Sequence, residues 1–262
     1  MVEMTQLLNV TQAGYSDIGQ IRKENEDFLV SYQSPNNDFV FTVVADGMGG
    51  YTGGAVASMI AANTVSERLQ AGLPQVSPSS SVGIVEQMKQ HLEYAIRQSN
   101  QQVMDYKITR PELAGMGTTL VIAIIFGQHL LVANVGDSRA YLYAGWKLQQ
   151  ISKDHSIIQE LIDSGVMTAE MARNDSQRNQ LTQAVGVADD FLINFAQFSL
   201  EGPGLLLLCS DGLTEYLDLS SIEAELARGL PASQSCHRLI EAANHLGGKD
   251  NITVAIVEYG GY

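Results

Sequence analysis

The chain has 262 residues, of which 45% are hydrophobic and 17% charged, and this is the composition of a globular protein with a sizeable core. Its formal net charge is −14 and it has no cluster of Lys and Arg, so nucleic acid and anionic membranes are excluded as expected partners. Its two cysteines, Cys209 and Cys236, rule out a disulfide framework and a Cys/His zinc site.

The sequence also gives no sign of a targeting or membrane segment. Residues 1–10 have neither the basic nor the apolar region of a signal peptide. The longest apolar run, Leu120 to Phe126, is far too short to cross a bilayer. We therefore expect a cytoplasmic protein without a membrane partner.

The first half of the chain predicts three strands and then two helices. Residues 10–32 have the pattern of a strand, a turn and a strand, and an apolar run at 41–45 predicts a buried strand. A helix is expected from Gly53 to Leu69, where the small residues Ala57 and Ala61 would allow close packing on a sheet. The clearest helix follows, and its apolar face is expected to be core: Val85, Met88, Leu92, Ala95, Ile96, Ser99 and Val103.

The second half predicts hairpins followed by mixed elements. Short strands joined by turns at Gly127-Gln128 and Ala144-Gly145 are expected between residues 120 and 151, with Trp146 in the core. The remaining expectations are a helix after Asp154-His155-Ser156, a short helix at 169–173, strands at 192–198 and 205–210, a capping box at 220–223 with Leu219 as its staple, a helix at 233–245 and a strand at 252–257.

Strands outnumber helices in this pattern, and most successive strands are linked as hairpins. This favours an α+β fold of antiparallel sheets with helices grouped on their outer faces. A parallel doubly wound sheet fits poorly, because no strand-turn-helix segment carries a glycine-rich phosphate-binding signature.

The apolar run at 41–45 ends on Asp46 and Gly47. A carboxylate at the end of a buried strand needs something to offset its desolvation. One interpretation is an ordinary Asp-Gly turn. The other is a pair of hard oxygen ligands, the Asp46 carboxylate and the Gly47 carbonyl, for a small divalent cation.

Repetition of the pattern favours the second interpretation. Apolar strands also end or begin beside Asp137, Asp211 and Asp250, each next to Gly or Asn. We expect these carboxylates to converge at one rim of a sheet. Like charges at such distances cannot all stay ionised without a counter-ion, and oxygen-only ligation points to Mg²⁺ or Mn²⁺.

The polar loop at 16–28 adds a possible anion site. One interpretation is an ordinary solvent-exposed loop, which is where clusters of charged residues most often occur. In the functional interpretation, Arg22 binds two phosphate oxygens, and a two-metal centre directs an in-line attack of water on phosphorus.

These motifs, taken in order, resemble the metal-dependent Ser/Thr protein phosphatases of the type 2C or PPM family, in the bacterial type. The resemblance covers residues 14–257 as one catalytic domain within 1–262. It rests on the following segments: 17–27 (DIGQIRKENED), 46–50 (DGMGG), 117–119 (GTT), 135–139 (VGDSR), 154–156 (DHS), 210–213 (SDGL) and 250–251 (DN).

The resemblance implies a fold and a role for each site residue. The fold would be two stacked antiparallel sheets flanked by helices, with a flap at about 154–186 beside the site. Asp46 would bridge two tightly held metals, the Gly47 carbonyl would bind one, and Asp211 and Asp250 would complete the other. Asp137 with Asp211 would hold a third, weaker ion. Arg22 would bind phosphate, and Glu26 and Asp27 would act through metal-bound water.

Three positions depart from the family pattern. Met48 stands where some members have a histidine that acts as the general acid, and Tyr51 stands where many bacterial relatives have a histidine. In the flap, Asn174-Asp175 replaces a usual His-Pro pair. These changes affect the identity of the leaving-group acid and substrate preference rather than the metal centre.

The expected function is hydrolysis of phosphoserine and phosphothreonine on a protein substrate, in a pathway with a cognate Ser/Thr kinase. The alternative is a catalytically silent phosphoprotein-binding module on the same fold. A metal-dependent phosphatase of small molecules is a third possibility. Ser138 and Ser210 lack a nucleophile elbow and a histidine partner, so a serine hydrolase is not expected.

Overall fold

The structure is a computed structural model, and it describes residues 9–49, 53–76, 83–168, 171, 175, 177 and 179–261. Three of the sequence predictions fall partly or wholly outside these residues: the role of Tyr51, the replacement at Asn174, and most of the short helix at 169–173. Within the described ranges, no helix is both long and apolar enough to cross a membrane.

One sheet, sheet I, is built from the strands β1 (Val10–Asp17), β7 (Arg139–Ala144), β8 (Lys147–Gln150), β10 (Gly204–Cys209) and β11 (Ile252–Tyr259). Their order is β1-β11-β10-β7-β8, and every neighbouring pair is antiparallel. β10 and β11 are buried along nearly their whole length, as expected of central strands covered on both faces.

The second sheet, sheet II, contains β2 (Asp27–Gln33), β3 (Phe39–Met48), β4 (Gly117–Thr118), β5 (Leu120–Phe126), β6 (His129–Val135) and β9 (Asn194–Ser199). The order is β2-β3-β5-β6-β9, and the two-residue β4 pairs with the last part of β3. These pairings are also antiparallel. The turn after β6 carries the chain from sheet II to sheet I.

Helices cover both outer faces of the sandwich. The helices α1 (Gly53–Gly72) and α2 (Ile84–Ile108) pack on sheet II. The helix α3 (Ile157–Asp163) lies in the predicted flap segment. The helices α4 (Asp211–Thr214), α5 (Leu219–Leu226) and α6 (Ala232–His245) cover sheet I. Sandwich, hairpins and outer helices therefore match the fold predicted from the sequence.

The core has three layers of buried side chains, and the strand β3 contributes side chains to two of them. Phe41 and Val43 face the helices α1 and α2, whereas Val40 and Val44 face sheet I. Because successive side chains of a strand point to opposite faces, a strand covered on both sides is apolar throughout. Ala57 packs in the same outer layer, as predicted for a small residue against a sheet.

Two local predictions were wrong. The N-cap of α5 is Asp218, whose Oδ1 accepts a hydrogen bond from the Ser221 backbone N–H at 2.9 Å, so Ser220 is not the cap. Glu223 does not return to that cap, because its carboxylate accepts a hydrogen bond from the Leu148 backbone N–H at 2.7 Å. Trp146 is 77% exposed, since the hairpin turn places it at a positive φ of 65° and directs its side chain to solvent.

Candidate metal centre

Asp46 lies within β3 rather than at its end. The strand continues through Gly47 and Met48 because these residues pair with Thr118 and Gly117 of β4. The Asp46 carbonyl accepts hydrogen bonds from the Thr119 backbone N–H and the Thr118 hydroxyl, both at 2.9 Å. The backbone carbonyl of Asp46 is therefore fixed by two hydrogen-bond donors.

The other predicted metal ligands occupy the ends of three different elements. Asp137 lies in the turn between β6 and β7, Asp211 opens α4 two residues after β10 ends, and Asp250 lies two residues before β11 begins. One cavity of about 610 Å³ brings them together with Asp46. The predicted site residues on its lining are Arg22, Glu26, Asp46, Gly47, Asp137, Asp211 and Asp250.

Electrostatic repulsion within this cavity is strong. Desolvation raises the pKa of Asp46 well above its usual value, and Asp27, Asp211 and Asp137 raise it further. Desolvation and neighbouring carboxylates also raise the pKa of Asp137 to about 8 and that of Asp211 to about 6. A carboxylate with a raised pKa holds a proton until a cation compensates for its charge.

Asp27 lies behind the cavity wall and is 6% exposed. Its Oδ2 accepts a hydrogen bond from the Ser210 hydroxyl at 2.7 Å, whereas its Oδ1 is buried and has no hydrogen-bond partner among the described residues. Burial, more than the nearby Asp211 and Asp250, raises the pKa of Asp27 to about 7. An unpaired buried carboxylate oxygen is costly, so it is a candidate for a proton, water or cation.

Arg22 and Glu26 enter the cavity from the loop between β1 and β2. Arg22 Nη2 lies 2.7 Å from Asp250 Oδ2, and its Nη1 lies 3.5 Å from Glu26 Oε2. Burial alone would lower the pKa of Arg22, but the two carboxylates raise it overall. Among the described residues that line the cavity, Arg22 is the only Lys, Arg or His, so the cavity is acidic with one cation at its edge.

Asn251 holds this loop in place, and its importance is greater than the sequence suggested. It is 3% exposed, and its Oδ1 accepts a hydrogen bond from the Glu26 backbone N–H at 2.8 Å. Its Nδ2 donates to the carbonyls of Ile18 at 2.9 Å and Glu24 at 3.0 Å. From the sequence, Asn251 was expected only to shape the turn at Asp250, and the three-dimensional contacts add its link to the loop.

The helix α1 begins against the same loop. The Ser58 hydroxyl donates a hydrogen bond to the Glu26 carbonyl at 2.6 Å. A Cβ on Gly54 would lie 2.4 Å from Glu26 Oε1, and one on Gly47 would lie 2.1 Å from the Gly54 carbonyl oxygen. Only glycine permits this close approach of β3, α1 and the loop.

The segment predicted as a flap forms one wall of the cavity. Its first residues are tied to sheet I by a bidentate ion pair, in which Arg139 Nη2 lies 2.7 Å from Asp154 Oδ2. Further along, Leu181 pairs with Ser156, and Val185 pairs with Thr118. The described lining residues from this segment are Asn179, Gln180, Leu181, Thr182, Gln183 and Ala184.

His155 serves packing and hydrogen bonding at the base of this segment. Its Nδ1 accepts a hydrogen bond from the Gly136 backbone N–H at 3.2 Å, and the backbone N–H of His155 donates to the Gly136 carbonyl at 2.8 Å. Met48 lines the cavity, but a thioether has no proton to donate.

The donor set suits a hard divalent cation, although the carboxylates do not form a closed ligand cluster. Over the described ranges, no group of three or more His, Cys, Asp or Glu side chains has an arrangement ready to hold a metal ion. The raised pKa of Asp46 and the unpaired Oδ1 of Asp27 are nevertheless consistent with a bound cation, and the lack of Cys and His among the described lining residues favours Mg²⁺ or Mn²⁺ over Zn²⁺.

Comparisons with known proteins agree with this geometry. A serine/threonine phosphatase, Stp, of Listeria monocytogenes serotype 4b is 35% identical over 243 residues, which cover 93% of each chain. The crystal structure of Stp1 from Staphylococcus aureus superposes with a TM-score of 0.86 at 30% identity, covering 99% of this chain and 97% of that one.

A third comparison concerns the catalytic domain of the phosphatase PstP, whose structure is in complex with two manganese ions. It has a TM-score of 0.76 and 31% identity, and it covers 95% of this chain and 97% of that one. The family model of protein phosphatase 2C matches residues 18–247. The chain therefore belongs to the protein phosphatase 2C family, and the family and enzyme class predicted from its motifs are confirmed.

Proposed function

We propose that this protein hydrolyses phosphoserine and phosphothreonine in protein substrates at a centre of two tightly held divalent cations. The observation that carries the proposal is a cavity where Asp46, Asp137, Asp211 and Asp250 converge beside the single arginine Arg22. Four carboxylates with one neighbouring cation leave an excess of negative charge that divalent ions would neutralise.

The proposed ligands are those that the family resemblance implies, and their shared place on the cavity lining supports them. Asp46 and the Gly47 carbonyl, with Asp211 and Asp250, would hold the two ions. Asp137 with Asp211 would hold a third, weaker ion. The relative that was solved with two manganese ions supports the use of divalent metal by this fold. Both Mg²⁺ and Mn²⁺ match the donor set.

When bound, the cations would lower the pKa of a water molecule and offset the charge of the phosphoryl group. Arg22 would bind phosphate oxygens with its guanidinium, which can donate two parallel hydrogen bonds. The carboxylates of Glu26 and Asp27 would accept hydrogen bonds from water and orient it. The raised pKa of Asp27, about 7, allows it to exchange a proton near neutral pH.

Residues 1–262 would form a single catalytic domain, and the flap at about 154–186 would be the wall of the cavity that contacts the substrate. Phosphoprotein substrates are the class on which the named relatives act, since these are called serine/threonine phosphatases. A cognate Ser/Thr kinase as pathway partner and a cytoplasmic location both remain predictions from the sequence.

A phosphopeptide assay tests the proposal. Hydrolysis should require Mn²⁺ or Mg²⁺, stop in excess EDTA and return when the metal is restored. Activity that persists in excess EDTA would contradict the metal-dependent mechanism. Phosphopeptide binding without turnover at millimolar Mn²⁺, with p-nitrophenyl phosphate also uncleaved, would indicate the silent binding module. Faster hydrolysis of nucleotides or sugar phosphates would indicate a small-molecule phosphatase.

A further inference from the structure

Thr119 lies directly behind Asp46 and is 2% exposed. Its hydroxyl accepts a hydrogen bond from the Asp46 backbone N–H at 3.0 Å, and its own backbone N–H donates to the Asp46 carbonyl at 2.9 Å. This residue therefore satisfies both backbone groups of Asp46, which lies in the part of β3 where β5 no longer pairs with it.

The same hydroxyl also reaches the turn that carries Asp137. Thr119 Oγ1 lies 2.7 Å from Ser138 Oγ, and Ser138 is 1% exposed. A hydroxyl has one proton and two acceptor positions, so it can accept from Asp46 and still bond to Ser138. One oxygen atom thus connects the backbone of Asp46 with the residue next to Asp137.

Packing strengthens this connection. Gly136 has a φ of +101°, and a Cβ on it would lie 2.6 Å from the Thr119 Cγ2 atom. The methyl group of Thr119 therefore lies directly against the backbone of the Asp137 turn. On the other side, His155 contacts Gly136 through two hydrogen bonds. The turn is held between Thr119 and the base of the flap.

We propose that Thr119 is a positioning residue, whose hydroxyl fixes Asp46 relative to the Asp137 turn and so sets the spacing of the metal ligands. The inference rests on the proposed metal centre, but it assigns to Thr119 a role that the centre itself does not require. Outer residues that hydrogen-bond to ligands commonly contribute about 10- to 100-fold to metal affinity. Thr119 is also one of the residues that line the cavity, but the role inferred here runs through its hydrogen bonds to the backbone of Asp46.

Two substitutions of Thr119 test the contributions of its hydroxyl and its methyl group separately. Thr119→Val keeps the branched shape and removes the hydroxyl, whereas Thr119→Ser keeps the hydroxyl and removes the methyl group. Thr42→Val is the matched control, because Thr42 is a fully buried threonine of β3, the strand that carries Asp46. Its hydroxyl bonds to Gln12 at 3.3 Å, and it does not line the cavity.

The measurement is Mn²⁺ binding by isothermal titration calorimetry, which needs no catalytic turnover. Thr119→Val should weaken Mn²⁺ binding by about tenfold or more, while Thr119→Ser and Thr42→Val stay within about threefold of the unmodified protein. Equal Mn²⁺ binding by Thr119→Val and the unmodified protein would overturn the inference. An equal loss in Thr42→Val would overturn it too.

A second variant covers the case where Thr119→Val does not fold. Ser138→Ala keeps the bond between Thr119 and Asp46 but cuts the link to the Asp137 turn. It should weaken the weakest Mn²⁺ site selectively, and unchanged binding at every site would reject the link. If the unmodified protein binds Mn²⁺ but the variants match it, only this inference fails. If the unmodified protein binds none, the proposed function fails with it.

Discussion

Arg22 donates a hydrogen bond from Nη2 to Asp250 Oδ2 at 2.7 Å, so the residue proposed to bind phosphate contacts a residue proposed to bind metal. Both side chains are partly exposed, at 44% and 30%, and the pair therefore adds little to stability. Its value lies in orientation, because it points the guanidinium along the wall of the cavity. The proposed metal site and the proposed phosphate site thus meet at one ion pair.

We expect Arg22→Lys to impair substrate binding more than turnover. An ammonium group cannot form the two parallel hydrogen bonds of a guanidinium, so KM for a phosphopeptide should rise by about tenfold, with a smaller fall in kcat. Inhibition by inorganic phosphate should weaken in parallel. Steady-state kinetics test this, with Lys23→Ala as the exposed neighbouring control. An unchanged KM would remove Arg22 from the phosphate site.

Removing a single cavity carboxylate should abolish activity and yet stabilise the metal-free protein. Asp46→Asn and Asp211→Asn each remove a group whose pKa is raised by desolvation and by repulsion from its neighbours. In EDTA, the Tm of each variant should rise by about 2–4 °C per kcal/mol of relieved repulsion.

Phosphopeptide hydrolysis and thermal denaturation together check this prediction. Asp105→Asn is the control, because Asp105 is an exposed residue of α2 far from the cavity lining. A variant at Asp46 that is inactive and also less stable in EDTA would argue for a purely structural role of that carboxylate.

Stability should depend on pH in opposite ways with and without metal. In the folded protein, the pKa of Asp211 is raised to about 6, that of Asp27 to about 7 and that of Asp137 to about 8, from a usual value of 3.8. At pH values between the usual pKa and the raised pKa of each group, the folded state therefore binds more protons than the unfolded state. In EDTA, the free energy of unfolding should fall as pH rises from about 4 to about 8.

Saturating Mn²⁺ should reverse that trend, because the cation competes with protons for the same oxygens. Denaturation profiles at several pH values measure both effects. Asp137→Asn removes the group with the pKa of about 8, so its profile in EDTA should be flatter between pH 7 and 8. A metal-free protein that becomes more stable over this range would show that the pKa values of these carboxylates are not raised in the folded state.

Asn251→Ala should destabilise the protein and displace the loop that carries Arg22 and Glu26. The change leaves one backbone N–H and two carbonyls without their partner, at a cost of about 1–3 kcal/mol in the free energy of unfolding. KM should rise as well, since Arg22 depends on this loop. Urea denaturation and kinetics measure the two effects. Asn244→Ala removes a single bond to Asp17 and should cost less.

The sequence predicted the sandwich well because its local patterns and its tertiary packing agree. The hairpin turns at Gly127 and Gly145 both have a positive φ of 57°, which glycine adopts without strain. The apolar runs of β10 and β11 became central strands, as uninterrupted hydrophobicity indicates.

The errors arose where a distant segment decided the local structure. β3 continues past Asp46 because β4 supplies its pairing partners. These partners are remote in sequence: Thr119, which follows β4 and bonds to Asp46, is 73 positions further along the chain. Thr119 and Asn251 lie in the motifs at 117–119 and 250–251, but the sequence did not show what they hold in place, because their contacts are with remote backbone. Trp146 was misplaced because hydrophobicity alone does not reveal the direction imposed by a turn.

The pairing of β1 with β11 has a consequence for folding of the chain during its synthesis on the ribosome. Thr11 contacts Glu258, 247 positions further along, and the Arg22 loop is fastened by Asn251. Sheet I and the cavity therefore stay unfinished until the segment that forms β11 has been translated. Until then the nascent chain lacks the arrangement proposed to hydrolyse phosphorylated proteins, so that activity would arise in one late step.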